Sequence, residues 1–424
     1  MSVDLPAECD VSYPDSVRYL YSLGNELRAG AKFGLEHMQT LLAELGNPER
    51  GQRFVHVAGT NGKGSTSAMI AAALASAGLE TGLYTSPHLI EPTERIQVNC
   101  SALTADEFLE AFEIVHAAGE KMDTHPSYFE TVTAMALATF RRRCDVSVLE
   151  VGLGGRLDAT NVVTPELCVI TPIAFDHESF LGNTLEAIAS EKAGILKPGV
   201  PVVMARQHAI AEAVVLERAR ELGCDVIRTE DARTYAVNVT AYRSTFSIGN
   251  VMYECALAGR HQIENATAAI LACRMLNVPT PAIQMGLKNV HWPGRMELIS
   301  RNPDFVLDGA HNPAGAAALA GYIREFHSGR PVWVVYGAMR DKAVEEVTSQ
   351  IFPLADRLIL TAPDFPRALR PEAILDVTSH SNAVVAKTIP EAIEIARRAP
   401  SEATVFFTGS LFVVGEAREL LIGA

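Results

Sequence analysis

The sequence predicts an α/β protein of two domains, a larger one built on a parallel sheet with a small antiparallel excursion and a smaller α/β one after it. Three observations predict this. Apolar runs of strand length alternate with longer helical patterns through most of the 424 residues, and strands separated by helices imply a parallel sheet covered on both faces. The rhythm breaks over residues 234–257, where polar and apolar residues alternate around Gly249-Asn250. It begins again after the segment His291-Trp-Pro-Gly-Arg-Met296, which reads as a junction, so the domains are expected at 1–296 and 297–424.

Taken in order, 54–58 is a short apolar strand and 64–77 reads as the helix that follows it. Thr104-Ala-Asp-Glu107 and Ser127-Tyr-Phe-Glu130 are capping-box starts, in which a hydroxyl and a carboxylate each satisfy an otherwise unpaired backbone N–H. Residues 145–151 and 167–171 read as buried strands, 200–205 as another, and 209–222 as a helix. The alternation at 234–257 reads as an antiparallel ribbon turning at Gly249-Asn250, and 261–276 returns to helix. Beyond the junction, strands are expected at 305–308, 332–336, 357–361, 383–387 and 404–408, with helical stretches between them.

Hydrophobic residues make up 48% of the chain, enough for large cores. A formal charge of −14 without any Lys/Arg block argues against a nucleic-acid or anionic-membrane surface. Seven cysteines (Cys9, Cys100, Cys144, Cys168, Cys224, Cys255 and Cys273) form no Cys-x-x-Cys pair and read as reduced structural thiols. The N-terminal run MSVDLPAECD lacks a basic region followed by an apolar one, and no apolar stretch reaches ~18 uncharged residues. A cytoplasmic chain without a membrane span is expected.

The strongest local signal is Val55-His-Val-Ala-Gly-Thr-Asn-Gly-Lys-Gly-Ser-Thr66, a strand ending in a glycine-rich turn that opens a helix. Gly59, Gly62 and Gly64 allow backbone angles that let N–H groups point inward, and the helix N-terminus adds positive potential. Lys63 supplies a point charge for β- and γ-phosphates, and Ser65 or Thr66 can reach phosphate or metal. The spacing departs from the common phosphate loop, because Gly64 separates Lys63 from Ser65. Glu150 ends the next buried strand and precedes the glycine-rich run to Asp158, where a carboxylate can hold Mg²⁺ against phosphates. Asp176-His177 follows a neighbouring strand, which makes His177 a candidate metal ligand. Glu191-Lys192 reads as the start of a turn after a helix near Thr184, and on local pattern alone Lys192 is a solvated lysine.

Together these segments resemble the folylpolyglutamate synthase/dihydrofolate synthase family of the Mur-ligase superfamily, in its bifunctional bacterial form. The segments that carry the resemblance are GTNGKGS at 59–65, TSPHL at 85–89, ERIQVN at 94–99, LEVGLGGRLDATN at 149–161, FDH at 175–177, SEKAGI at 190–195, GRHQIENA at 259–266, WPGRME at 292–297 and DGAHNP at 308–313. The resemblance implies a P-loop domain followed by a Rossmann-like domain, with ATP between them. A substrate carboxylate attacks the γ-phosphate, and the amino group of glutamate then displaces phosphate from the acyl phosphate. It also implies site residues. Gly59, Thr60, Asn61, Gly62, Lys63, Gly64, Ser65 and Thr66 would hold ATP, with Asn265, Arg295, Asp308 and His311. Ser86, Glu150, His177 and Lys192 would surround Mg²⁺, two ions in all, with Lys192 carbamylated. Phe129, Arg156, Leu157, Asp158 and Ala159 would line the folate pocket. Lys63, Lys192, His177, Arg295 and His311 would serve catalysis.

The partners implied are ATP, L-glutamate and dihydropteroate or a folate, with no nucleic acid or membrane, in a monomer. Two departures stand out: Gly309 where many relatives carry a small branched or alanyl residue, and Phe180 where an indole is common. Two other readings compete. A Mur-type ligase acting on a UDP-sugar peptide usually carries an extra N-terminal domain that is not expected here. A non-ligating nucleotide-binding protein would need neither the metal cluster nor Arg295, Asp308 and His311.

Overall fold

The computed structural model describes residues 11–24, 34–340, 343–376, 378 and 380–423. Cys9 and the N-terminal run read for a targeting signal lie outside the described residues. The other six cysteines are free thiols. Among the described residues no helix is long and apolar enough to cross a membrane.

The chain forms two compact units that are not two consecutive stretches of sequence. The first comprises 1–173, 185–231 and 267–286, and the second 174–184, 232–266 and 287–424.

The first unit is organised by a sheet of eight strands among the described residues: β1 (Phe54–Ala58), β2 (Thr81–Tyr84), β3 (Ile96–Val98), β4 (Ser101–Ala102), β5 (Val146–Glu150), β6 (Leu167–Ile170), β7 (Val202–Met204) and β8 (Val226–Arg228). Their order is β4-β3-β2-β5-β1-β6-β7-β8, parallel from β2 to β8 and antiparallel at the β3 and β4 edge. Every residue of β1, β5 and β6 is buried, as expected of strands covered on both faces. The chain leaves β1 to one side, places β5 against it, then crosses to β6 on the other side. The exit of β1 is therefore a topological switch point, where open α/β sheets bind ligands.

Local chemistry sets the surrounding helices. Both expected capping boxes are present: the Thr104 N–H donates to Glu107 Oε2 at 2.8 Å and the Ser127 N–H to Glu130 Oε2 at 2.8 Å. They start the helices Ala105–Gly119 and Tyr128–Arg143, which pack Phe108, Phe112, Met135 and Phe140 into the core beside the sheet. Lys192 departs from the solvated turn expected of it: it occupies the last turn of the helix Leu185–Ala193 and is buried.

The second unit holds a three-stranded antiparallel sheet, β9 (Thr234–Val239), β10 (Ser244–Ile248) and β11 (Val251–Cys255), with the turn at Gly249-Asn250 as expected. It also holds a sheet of six strands among the described residues: β12 (Glu297–Ser300), β13 (Asp304–Leu307), β14 (Val332–Tyr336), β15 (Arg357–Leu360), β16 (Ala383–Val385) and β17 (Thr404–Thr408). The order is β12-β13-β17-β14-β15-β16, parallel except for β12. Asp308 leaves β13 at the edge where parallel strands present their C-terminal ends.

Candidate active site

The glycine-rich loop is clamped to the strand beside it. The N–H groups of Thr60 and Asn61 donate to the Pro172 carbonyl at 2.9 and 3.2 Å. Gly59 has φ 148°, and a Cβ there would lie 1.9 Å from Thr171 Oγ1, so only glycine fits. Gly62, at φ 83°, is the N-cap of the helix Lys63–Ser76 and brings no side chain to cap it. The first amides of the helix can therefore serve an anion, as the sequence implied. Lys63 Nζ folds back to the Thr60 carbonyl at 3.3 Å. Lys192 Nζ donates to the Gly59 carbonyl at 2.8 Å, joining a buried lysine to the same loop.

At the next strand end Glu150 is 5% exposed, and its Oε2 lies 3.3 Å from the Ser86 amide. The ring of Phe129 and the Ser86 hydroxyl crowd Gly152, where a Cβ would meet Phe129 Cζ at 2.4 Å and Ser86 Oγ at 3.2 Å. The structure thus brings Ser86, Glu150, Gly152 and Phe129 together. Asp158 holds its own loop: its Oδ2 accepts the Gly152 and Leu153 amides at 3.1 and 2.9 Å, and its Oδ1 accepts the Thr160 amide at 3.0 Å. Burial pushes its carboxyl up to about 6, against those hydrogen bonds. Arg156 keeps its guanidinium at the surface, paired with Glu191 at 2.7 Å. Leu157 is half-buried and Ala159 buried.

The remaining residues belong to the second unit. Asp308 is buried; its Oδ2 accepts the Met296 amide and its Oδ1 the Ala310 amide, each at 3.1 Å. A carboxylate offers about four lone-pair sites, so capacity for further donors remains. Burial raises its pKa, and Arg295 opposes the rise. Arg295 Nη1 donates to the Gly294 carbonyl at 3.0 Å. A Cβ at Gly309 would meet Leu411 Cδ2 at 2.3 Å and Arg295 Nη1 at 2.4 Å, so a side chain there would displace the tips of both. Asn265 is buried and donates to Gln262 Oε1 at 2.9 Å. His311 Nδ1–H donates to the Gly309 carbonyl at 2.7 Å. His177 belongs to this unit, unlike Ser86, Glu150 and Lys192.

Sequence reasoning gave Asp176 no role. Its Oδ2 lies 3.6 Å from His311 Nε2 and 3.8 Å from His177 Nε2, and it accepts from Asn312 Nδ2 at 3.3 Å. One acidic group thus links two residues that the sequence presents as separate. Also missed was the cluster beside Phe129, in which Arg95 Nε donates to His88 Nδ1 at 2.8 Å while its guanidinium lies over the Tyr128 ring. Burial, helped by Arg95, pushes His88 down to about 3. Asp176 meets His311 and Asn312 from a distant segment, and the nearness of His88 to Arg95 in sequence does not show that Arg95 lies over Tyr128.

Comparison with known proteins decides the family. Residues 57–273 match the Mur ligase middle domain, and 294–411 match the Mur ligase, glutamate ligase domain. The dihydrofolate synthase/folylpolyglutamate synthase of Bacillus subtilis is 35% identical, across 97% of this chain and 99% of its own. This chain belongs to the dihydrofolate synthase/folylpolyglutamate synthase family of Mur ligases. The solved Escherichia coli member in complex with DHPP and ADP has a TM-score of 0.87 at 30% identity, covering 96% of this chain and 98% of that one. The bifunctional Yersinia pestis enzyme complexed with AMPPNP and Mn ion has a TM-score of 0.85 at 29% identity, covering 97% and 98%. Like other members of this family, the chain is an ATP-dependent ligase of the α/β class.

The Yersinia pestis enzyme was solved with a Mn ion, and the donor chemistry of this chain fits a divalent metal. A buried carboxylate, Glu150, and a hydroxyl, Ser86, stand together at the switch point. Both are oxygen donors, which Mg²⁺ prefers, and Mg²⁺ commonly completes its shell with water and phosphate oxygens.

Proposed function

We propose that this chain adds L-glutamate to dihydropteroate and to folates through an acyl phosphate, releasing ADP and phosphate. The observation that carries this is the convergence of the phosphate loop, the buried Glu150 and the buried Lys192 at one switch point. A carboxylate is a poor acylating agent, so the reaction needs a leaving group. A substrate carboxylate oxygen attacks the γ-phosphorus and ADP leaves. The neutral amine of glutamate then attacks the acyl carbon, its nitrogen loses a proton, and inorganic phosphate departs with the C–O electron pair.

The chain's own groups serve these steps by neutralising and orienting charge. Lys63 and the amides after Gly62 hold the β- and γ-phosphates. Ser86 and Glu150 are proposed to hold Mg²⁺, which would supply charge neutralisation on the phosphates. Lys192 is proposed to react as a neutral amine with carbon dioxide, losing a proton to become a carbamate with oxygen donors of its own. Arg295, Asn265, Asp308 and His311 are proposed to serve the nucleotide. Phe129 offers an aromatic face beside Glu150 for the pterin, and the loop 152–159 borders it. The proposed assembly is a cytoplasmic monomer.

The test is a substrate panel scored by mass for added glutamyl units. Addition to dihydropteroate as well as to a reduced folate is expected. Extension of the folate with no addition to dihydropteroate would reduce the reading to chain extension alone.

A further inference from the structure

His56 stands on β1, three residues before Gly59, and is wholly buried. Its Nε2 lies 2.8 Å from Thr160 Oγ1. The Thr160 hydroxyl in turn lies 2.5 Å from Asp158 Oδ1, the carboxylate that holds the Gly152 and Leu153 amides. Burial, with the Lys197 ammonium nearby, pushes the His56 imidazole down to about 3, so the ring is neutral. Its Nδ1 is buried with no hydrogen-bond partner among the described residues.

Hydrogen-bond accounting fixes the direction of this series. The threonine hydroxyl has one hydrogen. If it goes to Asp158, the hydroxyl lone pair accepts Nε2–H from His56, and the buried Nδ1 is a bare acceptor. If the hydroxyl instead donated to His56, its lone pairs would face a carboxylate, and a buried Nδ1–H would go unpaired. Nδ1 is unpartnered in either case, but an ionised carboxylate can only accept, so the hydroxyl hydrogen goes to Asp158 and the first arrangement is favoured.

We propose that His56 is a positioning residue for the glycine-rich loop behind Glu150, acting through a relay in which its Nε2–H donates to Thr160, Thr160 donates to Asp158, and Asp158 holds the Gly152 and Leu153 amides. Gly152 lies close against Phe129 and Ser86, since a Cβ there would meet Phe129 Cζ at 2.4 Å and Ser86 Oγ at 3.2 Å. The relay therefore transmits the position of β1, which carries the phosphate loop, to the aromatic face beside Glu150. A second support acts on the same segment, since Lys197 Nζ donates to the Asn161 carbonyl at 3.0 Å. The relay predicts a selective role: His56 sets the pterin side of the site and leaves the phosphate loop, which is clamped separately to Pro172, in place.

The kinetic part of the test rests on the proposed function; the spectroscopic part does not. In full-length protein labelled with [15N]histidine, the resonance lost in His56→Gln is expected to report a neutral ring with its proton on Nε2 throughout about pH 6–8. A neutral ring protonated on Nδ1 would overturn the relay. For kinetics, His56→Phe fills the space without a donor, and His56→Gln keeps an amide donor. The Phe variant is expected to raise KM for the pterin substrate about tenfold, the worth of roughly one hydrogen bond, with KM for ATP changed less than about twofold. The Gln variant is expected to recover most of that loss. Thr160→Val should repeat the Phe pattern, and the double variant should be no worse than either single one, because both cut one series. Equal losses on both KM values, or additive losses in the double variant, would overturn the proposal. Should His56→Phe fail to fold, Thr160→Val and the tautomer still decide it. If no pterin compound is a substrate, the functional reading fails, and the tautomer alone judges the relay.

Discussion

The Lys192 ammonium nitrogen lies 2.8 Å from the carbonyl oxygen of Gly59, so a buried lysine from one helix is tied to the first residue of the phosphate loop. A bare cation at that place would repel a metal ion, whereas a carbamate would supply oxygens to one. Lys192→Ala is expected to lose most activity, and Lys192→Glu to restore part of it by returning a carboxylate. Steady-state ADP release measures both. Full turnover in the Ala variant would remove Lys192 from the reaction.

The loop itself is expected to tolerate no side chain at its first position. In Gly59→Ala the new Cβ meets Thr171 Oγ1 at 1.9 Å and the Thr171 carbonyl oxygen at 2.8 Å, on a backbone at φ 148°. Affinity for a non-hydrolysable ATP analogue should fall by about tenfold or more, consistent with strain of a few kcal/mol. Lys63→Ala should instead abolish turnover while leaving the melting temperature nearly unchanged, since this side chain fills no core. Calorimetry and thermal unfolding separate the two effects. Tight analogue binding by Gly59→Ala would contradict the clamp.

In the second unit, Gly309→Ala is expected to act on Arg295. The added methyl would meet Arg295 Nη1 at 2.4 Å and Leu411 Cδ2 at 2.3 Å. Turnover should fall toward that of Arg295→Ala, about 10–100-fold for a lost charge contact in the transition state. Gly321→Ala is the control: it lies in the helix Pro313–Phe326 with nothing near the new Cβ, and should stabilise that helix by up to about 1 kcal/mol. Wild-type kinetics in Gly309→Ala would show that Arg295 is not held there for catalysis.

The buried His56 also makes stability depend on pH, with a definite sign. Its folded pKa of about 3 lies below the unfolded value of 6.5, so the unfolded chain binds more protons between them. That contribution is complete above about pH 6.5 and is lost as pH falls toward 3, at up to about 1.4 kcal/mol per pH unit. Asp158 has the opposite sign: its folded pKa of about 6 exceeds the ordinary value of 3.8, so its effect lowers stability as pH rises between those values. Urea unfolding of wild type and His56→Gln from pH 7.5 to about 5 should show their stability difference shrinking on acidification. A difference independent of pH would mean that the buried imidazole is not neutral.

Much of this was legible from sequence where the signal is local. The strand, turn and helix around Lys63, the capping boxes at Thr104 and Ser127, and the exit of β13 at Asp308 follow from periodicity and from residue types whose backbone demands are specific. Short edge strands such as β3 and β4 were not legible, because two or three residues carry no period. Burial of Lys192 could not be read either, since a lysine on a helix gives no local sign of what covers it. That the Asp158 oxygens accept the Gly152 and Leu153 amides was not legible either, since a resemblance names a residue without its backbone partners. The link between His311 and Asp176 spans separate elements, and only tertiary structure could reveal it.

The central claim is that the phosphate loop drives glutamate ligation to a pterin acid. The most direct measurement is ADP release by the purified full chain with ATP and Mg²⁺, in a matrix of dihydropteroate and L-glutamate each present or absent. The expected result is rapid ADP release only when both are present, with one amide product formed for each ADP. ADP release that is indifferent to both, or that proceeds with no amide product, would contradict the account and point to a nucleotide-binding protein that does not ligate.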